Sequence, residues 1–138
     1  MAQSEAKWTA GAHHVGLTVP DLTAAVDFFQ DGLGFDVVGE VPDYPAAFLS
    51  DGVVMITLWQ AENGEDATSF DRRRNLGLHH IAITVRGGVL DDLHKRLEAR
   101  GDVLVEFAPE FLGGGPTRHM MTRIVGGIRV EFIAPAQS

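Results

Sequence analysis

The chain repeats itself. Residues 13–19 read His-His-Val-Gly-Leu-Thr-Val, and 66 residues later, at 79–85, the chain reads His-His-Ile-Ala-Ile-Thr-Val. At the same spacing Asp36-Val37-Val38-Gly39-Glu40 meets Asp102-Val103-Leu104-Val105-Glu106. Two matches at one ungapped offset, each pair bracketing a helix-like stretch, mark duplication of one supersecondary unit. Two copies are too few for a solenoid.

Each copy opens with a strand. Side chains alternate across a strand, so Val15, Leu17 and Val19 share one face while His14, Gly16 and Thr18 share the other. Ile81, Ile83 and Val85 divide from His80, Ala82 and Thr84 in the same way. A helix follows each strand: Asp21 is a candidate N-cap ahead of Leu22, Val26, Phe29 and Leu33, with Gly32 and Gly34 ending the run. In the second copy Leu90, Leu93 and Leu97 mark the buried stripe and Gly101 the stop. The helices are expected on the aliphatic side, leaving the histidines on the other. Three strands are predicted after each helix, at 36–41, 46–50 and 53–60, then at 102–107, 118–124 and 128–134. The fold class is therefore α+β, one domain over 1–138. It is built from two tandem βαβββ modules, about 11–61 and 77–135, joined by a polar linker at about 62–76.

Composition narrows the function classes. The 138 residues include no cysteine, which excludes thiolate metal sites and cysteine nucleophiles and leaves imidazole and carboxylate as ligands. A formal charge of −8 repels phosphate backbones, and Arg72-Arg73-Arg74 is too short a basic run to reverse that, so no nucleic-acid partner is expected. The segment Met1–Ala12 lacks the apolar core of a signal peptide, and no apolar run reaches the roughly 20 residues of a membrane span. A cytoplasmic protein without a membrane partner is the expectation.

In the last strand Ile128, Val130 and Phe132 form a core face, which puts Glu131 on the opposite one. Should that face adjoin those of His14 and His80, two imidazoles and a carboxylate converge. Such a set suits one divalent ion (Fe, Mn, Zn, Co or Ni) and leaves positions open for water and substrate. Spacing alone does not establish the convergence. His13 and His79 alternate to the opposite face and read as structural; His94 reads as solvated.

The paired βαβββ units, H-x-x-x-x-V-x-D at His14, Val19 and Asp21, His80-Ile81-Ala82-Ile83-Thr84-Val85, and G-x-x-x-E-F at Gly127, Glu131 and Phe132 resemble the vicinal oxygen chelate superfamily of glyoxalases, bleomycin resistance proteins and dioxygenases. The resemblance covers roughly 13–134. It implies a curved mixed sheet with a metal and substrate cavity at its concave centre, and metal positions at His14, Thr57, His80 and Glu131. Threonine is not a usual ligand, and glyoxalase I-like enzymes carry a carboxylate there. A His-His-Glu set is similar to that of extradiol dioxygenases and fosfomycin-modifying enzymes, which have a Tyr where this chain has Met121. The resemblance also implies a homodimer.

His119 is the candidate acid/base residue. A two-residue Gly126-Gly127 turn would pair Thr122 with Glu131 and send His119 away from the pocket; one residue more would pair Met121 with Glu131 and bring His119 in. The resemblance favours the second register. Met55, Thr57, Trp59 and Met121 are expected to wall a pocket for a small-molecule substrate, with Arg123 also lining it. Arg118, Arg123 and Arg129 could hold an anion or pair with acidic neighbours. Gly113-Gly114-Gly115-Pro116 lacks the Lys-Ser/Thr of a phosphate loop and is expected to border the cavity. The reading is a metal-dependent enzyme with dioxygenase-like or glyoxalase-like (lyase or isomerase) chemistry. The rival is a metal-free sequestering protein of the bleomycin resistance type.

Overall fold

A computed structural model describes residues 7–136, so the first half of the expected non-signal segment lies outside the described residues. Each half of the chain is a βαβββ unit. The first comprises β1 (His14–Val19), α1 (Leu22–Asp27), β2 (Asp36–Val41), β3 (Ala46–Ser50) and β4 (Met55–Gln60). The second comprises β5 (Ile81–Thr84), α2 (Leu90–Arg100), β6 (Leu104–Phe111), β7 (Arg118–Arg123) and β8 (Arg129–Ala134). They form two four-stranded mixed sheets of the same topology, ordered β1-β4-β3-β2 and β5-β8-β7-β6, whose first pair is parallel and the rest antiparallel.

Local chemistry sets the helix ends. Asp21 is extended and its carboxylate accepts from the Ala24 N–H at 3.1 Å, satisfying an orphan donor of α1. Gln60, at the end of β4, accepts from the Leu22 N–H and donates to the Pro20 carbonyl, each at 2.8 Å, which ties helix entry to the sheet. Beyond Asp27 the helix widens into a π turn over Phe28–Gly32. Phe28 and Phe29, adjacent in sequence, are both fully buried there, with rings edge to face at 5.2 Å. Gly101 closes α2 at φ +80, the left-handed conformation glycine adopts without a Cβ penalty.

The expected division of faces holds. Leu17, Val19, Ile83, Val85, Ile56, Val130 and Phe132 are buried on the helix side. One apolar cluster takes residues from both halves, joining Phe28 and Phe29 to Leu90, Leu97 and Phe132. Burying each of these large side chains stabilises the fold by about 2–3 kcal/mol before entropy is counted. Across the same junction Arg100 meets Asp27 at 2.9 Å and Asp31 at 2.7 Å, and Arg96 donates to the Gly32 and Asp31 carbonyls. The two units thus meet through their helices, and their histidine-bearing faces turn outward. Among the described residues no helix is long and apolar enough to cross a membrane.

Candidate functional site

The second sheet carries most of the candidate chemistry. Its outward face is ordered in rows by strand register. Ala82, Glu131, Met121 and Phe107 lie side by side in one row, Thr84, Ile133, His119 and Glu110 in the next. On the other side Arg129 pairs Arg123, and His80 precedes the Ile81–Val130 pair, which puts it beside Arg129.

The register follows from the turn. Ile124 N–H donates to the Ile128 carbonyl at 2.9 Å, so the loop is the three residues Val125–Gly127, with Gly126 at φ +81 and Gly127 at φ +76. Met121 therefore faces Glu131, the second of the two registers the sequence allowed, and His119 joins the same face. Its Nδ1 stands 2.5 Å from Glu131 Oε2, while His80 Nε2 stands 3.3 Å from Oε1. Glu131 thus lies between two imidazoles, each addressing a different oxygen. It is 13% exposed and His119 11%, a setting that strengthens such contacts over those in water.

A second polar group adjoins the first. Glu106, displaced by a bulge between Val105 and Phe107, accepts from Arg129 at 2.8 Å and from Arg123 at 3.1 Å. The Arg129 hydrogen bond, then that of Arg123, outweighs burial and lowers the Glu106 pKa to about 2. Arg129 Nη1 also lies 3.3 Å from His79 Nδ1, and His79 Nδ1 lies 2.8 Å from His80 Nδ1. Desolvation, then the Arg129 charge, holds the His79 pKa below the ordinary imidazole value. A continuous polar chain runs from Arg123 through Glu106, Arg129, His79, His80 and Glu131 to His119. His79 was expected on the opposite face. Because β5 begins only at Ile81, strand alternation does not bind it, and its ring turns to Arg129.

The first sheet carries a different half. Gly16, Thr57, Phe48 and Gly39 form the row matching Ala82, Glu131, Met121 and Phe107, so Thr57 occupies the place of Glu131. Its hydroxyl accepts from Trp59 Nε1 at 2.9 Å, and a Cβ on Gly16 would lie 3.1 Å from that oxygen. Met55 pairs with His14 at the end of the same face. Trp59 stacks edge to face with Tyr44 at 4.7 Å and meets Phe48 at 5.8 Å, an aromatic wall of which the sequence reading had only Trp59. Alternation along β3 would have found Phe48; nothing in the sequence signalled Tyr44 or the bulge that turns Glu106 inward.

His14 is exposed, and its Nδ1 lies 2.9 Å from His13 Nδ1, as His80 lies against His79. Within one chain it makes no bond to His80 or Glu131. Among the described residues no group of three or more His, Asp or Glu side chains is arranged to hold a metal ion. The donor types nevertheless suit one: His80 and Glu131 converge, with two imidazoles around one carboxylate. Arg118 is taken elsewhere, in a two-point pair with Asp91 at 2.8 and 3.1 Å that lowers the Asp91 pKa. His94 pairs with Glu98 along α2. A cleft of about 1040 Å³ lies behind β5, lined by Ile83, Phe132, Leu93 and Phe35 among others, and none of the candidate ligands borders it.

Residues 11–132 match the family model described as the Glyoxalase/Bleomycin resistance protein/Dioxygenase superfamily. No curated protein is a significant match. Solved structures are similar over nearly the whole chain. A glyoxylase/bleomycin resistance protein/dioxygenase domain from Frankia sp. EAN1pec is 24% identical, with 94% of this chain and 95% of that one covered and a TM-score of 0.80. A mutant of the fosfomycin resistance protein FosX from Listeria monocytogenes, complexed with Mn(II) and 1S,2S-dihydroxypropylphosphonic acid, is 19% identical over 93% and 94%, with a TM-score of 0.74. Lactoylglutathione lyase from Agrobacterium tumefaciens is 21% identical over 93% and 96%, with a TM-score of 0.67.

Proposed function

We propose that this chain, which belongs to the Glyoxalase/Bleomycin resistance protein/Dioxygenase superfamily, is a divalent-metal-dependent enzyme acting on a small oxygenated organic substrate. His80 and Glu131 hold the ion together with His14 of a second copy of the chain, in a homodimer. The observation that carries this reading is the convergence of His80 Nε2 and Glu131 Oε1 at 3.3 Å on an outward face, with His14 exposed at the matching strand of the other unit. A site split between two outward faces is completed when the aromatic half of one chain closes over the polar half of another.

A divalent ion held by these residues would supply Lewis-acid stabilisation of negative charge developing on substrate oxygen. The side chains do the rest. His119 keeps Glu131 oriented through Nδ1, and its Nε2, 3.8 Å from Glu110 Oε1, is the atom that takes or returns a proton. Trp59, Tyr44 and Phe48 exclude water and pack the substrate's apolar part. Thr57 carries no charge and cannot serve as a carboxylate base. That favours dioxygenase-like chemistry over a glyoxalase I-like proton abstraction, while lyase chemistry with His119 as the base stays within reach.

The rival reading, a metal-free sequestering protein, is favoured by the placement of His14 apart from the other two ligands within one chain. Metal analysis of protein purified without chelator separates them. Stoichiometric metal that disappears in His80→Ala supports the enzyme. An empty site combined with tight binding of an organic ligand overturns it.

A further inference from the structure

We propose that Arg123 binds a carboxylate on the substrate, so that the polar face of the second sheet selects small organic acids; the inference rests on the metal-centre reading only for what lies beside that carboxylate. Three observations carry it. First, Arg129 is fully engaged: its Nε and Nη2 reach the two Glu106 oxygens at 2.8 and 3.3 Å, and Nη1 faces His79. Arg123 uses only Nε, 3.1 Å from Glu106 Oε2, and its two terminal nitrogens bond nothing among the described residues. A guanidinium braced at Nε presents its remaining edge in the geometry that a planar carboxylate accepts through two parallel hydrogen bonds.

Second, two guanidiniums against one carboxylate leave a unit of positive charge, and it falls on the member that reaches solvent. The Arg123 side chain is 43% exposed, against 12% for Arg129 and 16% for Glu106. The other carboxylates of the face do not cancel it. Glu131 directs both oxygens to imidazoles, and Glu110 lies two rows away beside His119. Third, Arg123 stands on β7 two residues from Met121, the strand partner of Glu131, so the anion edge lies about 7 Å along the sheet from the candidate ligands. A molecule the size of benzoate spans that gap. A cation held by Glu131 would make the field there still more favourable to an anion.

The test is an NMR titration of zinc-treated, 15N-labelled protein with benzoate and with benzamide, its neutral counterpart of the same shape. The expected result is that benzoate shifts the Arg123 Nε–H signal and binds about tenfold more tightly than benzamide. Arg123→Gln should abolish that preference with the backbone amide spectrum retained, and Arg123→Lys should keep part of it. Equal binding of the two probes by the wild type, or an unchanged preference in Arg123→Gln, overturns the proposal. Zinc content measured on the same samples keeps the two readings apart. A benzoate preference in protein that takes up no zinc upholds the anion site and sinks the metal centre; zinc uptake without the preference does the reverse.

Discussion

His119 Nδ1 lies 2.5 Å from Glu131 Oε2, and the contact exists because the turn between β7 and β8 holds three residues and not two. One residue fewer would carry His119 to the helix side of the sheet and leave the carboxylate with a single imidazole neighbour. In the proposed centre His119 is thus an orienting group for a ligand. His119→Ala is expected to lower zinc affinity about 10- to 100-fold with the fold intact, measured by competition against a chromophoric chelator. Unchanged affinity would remove His119 from the centre.

Shared sites between two chains make a prediction that single-chain sites cannot imitate. His14→Ala and His80→Ala proteins should each bind no metal. Mixed, unfolded together and refolded, they should recover about a quarter of the wild-type metal, because half the dimers are mixed and one of the two sites in each is intact. If His14 and His80 of the same chain served one ion, every chain would carry a defect and the mixture would stay empty.

Glu106 links stability to acid. Its pKa of about 2 in the folded protein lies below the ordinary carboxylate value, because Arg129 and Arg123 favour the charged form. The stabilisation is therefore complete above about pH 4.5 and is lost as the pH falls toward 2. Glu106→Gln should cost on the order of 2 kcal/mol at pH 7. Urea unfolding of the two proteins at pH 7 and pH 3 should show the gap narrowing at the lower pH. A gap that is constant with pH would mean that the arginine pairs contribute nothing to it.

Arg100 fastens the two units together. Its guanidinium, 12% exposed, reaches Asp27 and Asp31 of the first unit and Asp102 of its own, and lies 5.8 Å from the Phe28 ring centroid. The aspartates are exposed, so screening discounts each pair, and packing of the arginine stem counts for much of the effect. Arg100→Ala should lower stability by about 1–2 kcal/mol, and Asp31→Asn by less than about 0.5 kcal/mol. Thermal or urea unfolding checks the ranking, and an equal loss in both variants would contradict it.

How far the site was legible before folding depends on how local each signal is. The repeat, the two βαβββ units, the Asp21 cap and the sorting of Leu17 from His14 or Phe132 from Glu131 are written in short-range periodicity, which follows from backbone geometry alone. That was enough to pick out His80, Glu131 and the alternative registers for His119. Glu106 and Arg129 could not be read as partners, because a bulge breaks the alternation that would have located them, and no residue type announces it. The π turn that buries both Phe28 and Phe29 was likewise hidden, since helical spacing assigns adjacent residues to different directions.

From sequence alone came the duplicated architecture, the strand faces to which His14, His80 and Glu131 belong, and the donor chemistry available without cysteine. Tertiary structure alone decided how those faces are disposed. The two units meet through their helices, around Phe28, Phe29, Leu90 and Leu97, and among the described residues His14 does not join His80 and Glu131 in one metal-holding group within the chain. Periodicity specifies which side of a strand is apolar. It carries no information on what that side will be buried against, because hydrophobic burial is non-directional and is satisfied by any apolar surface of the right shape.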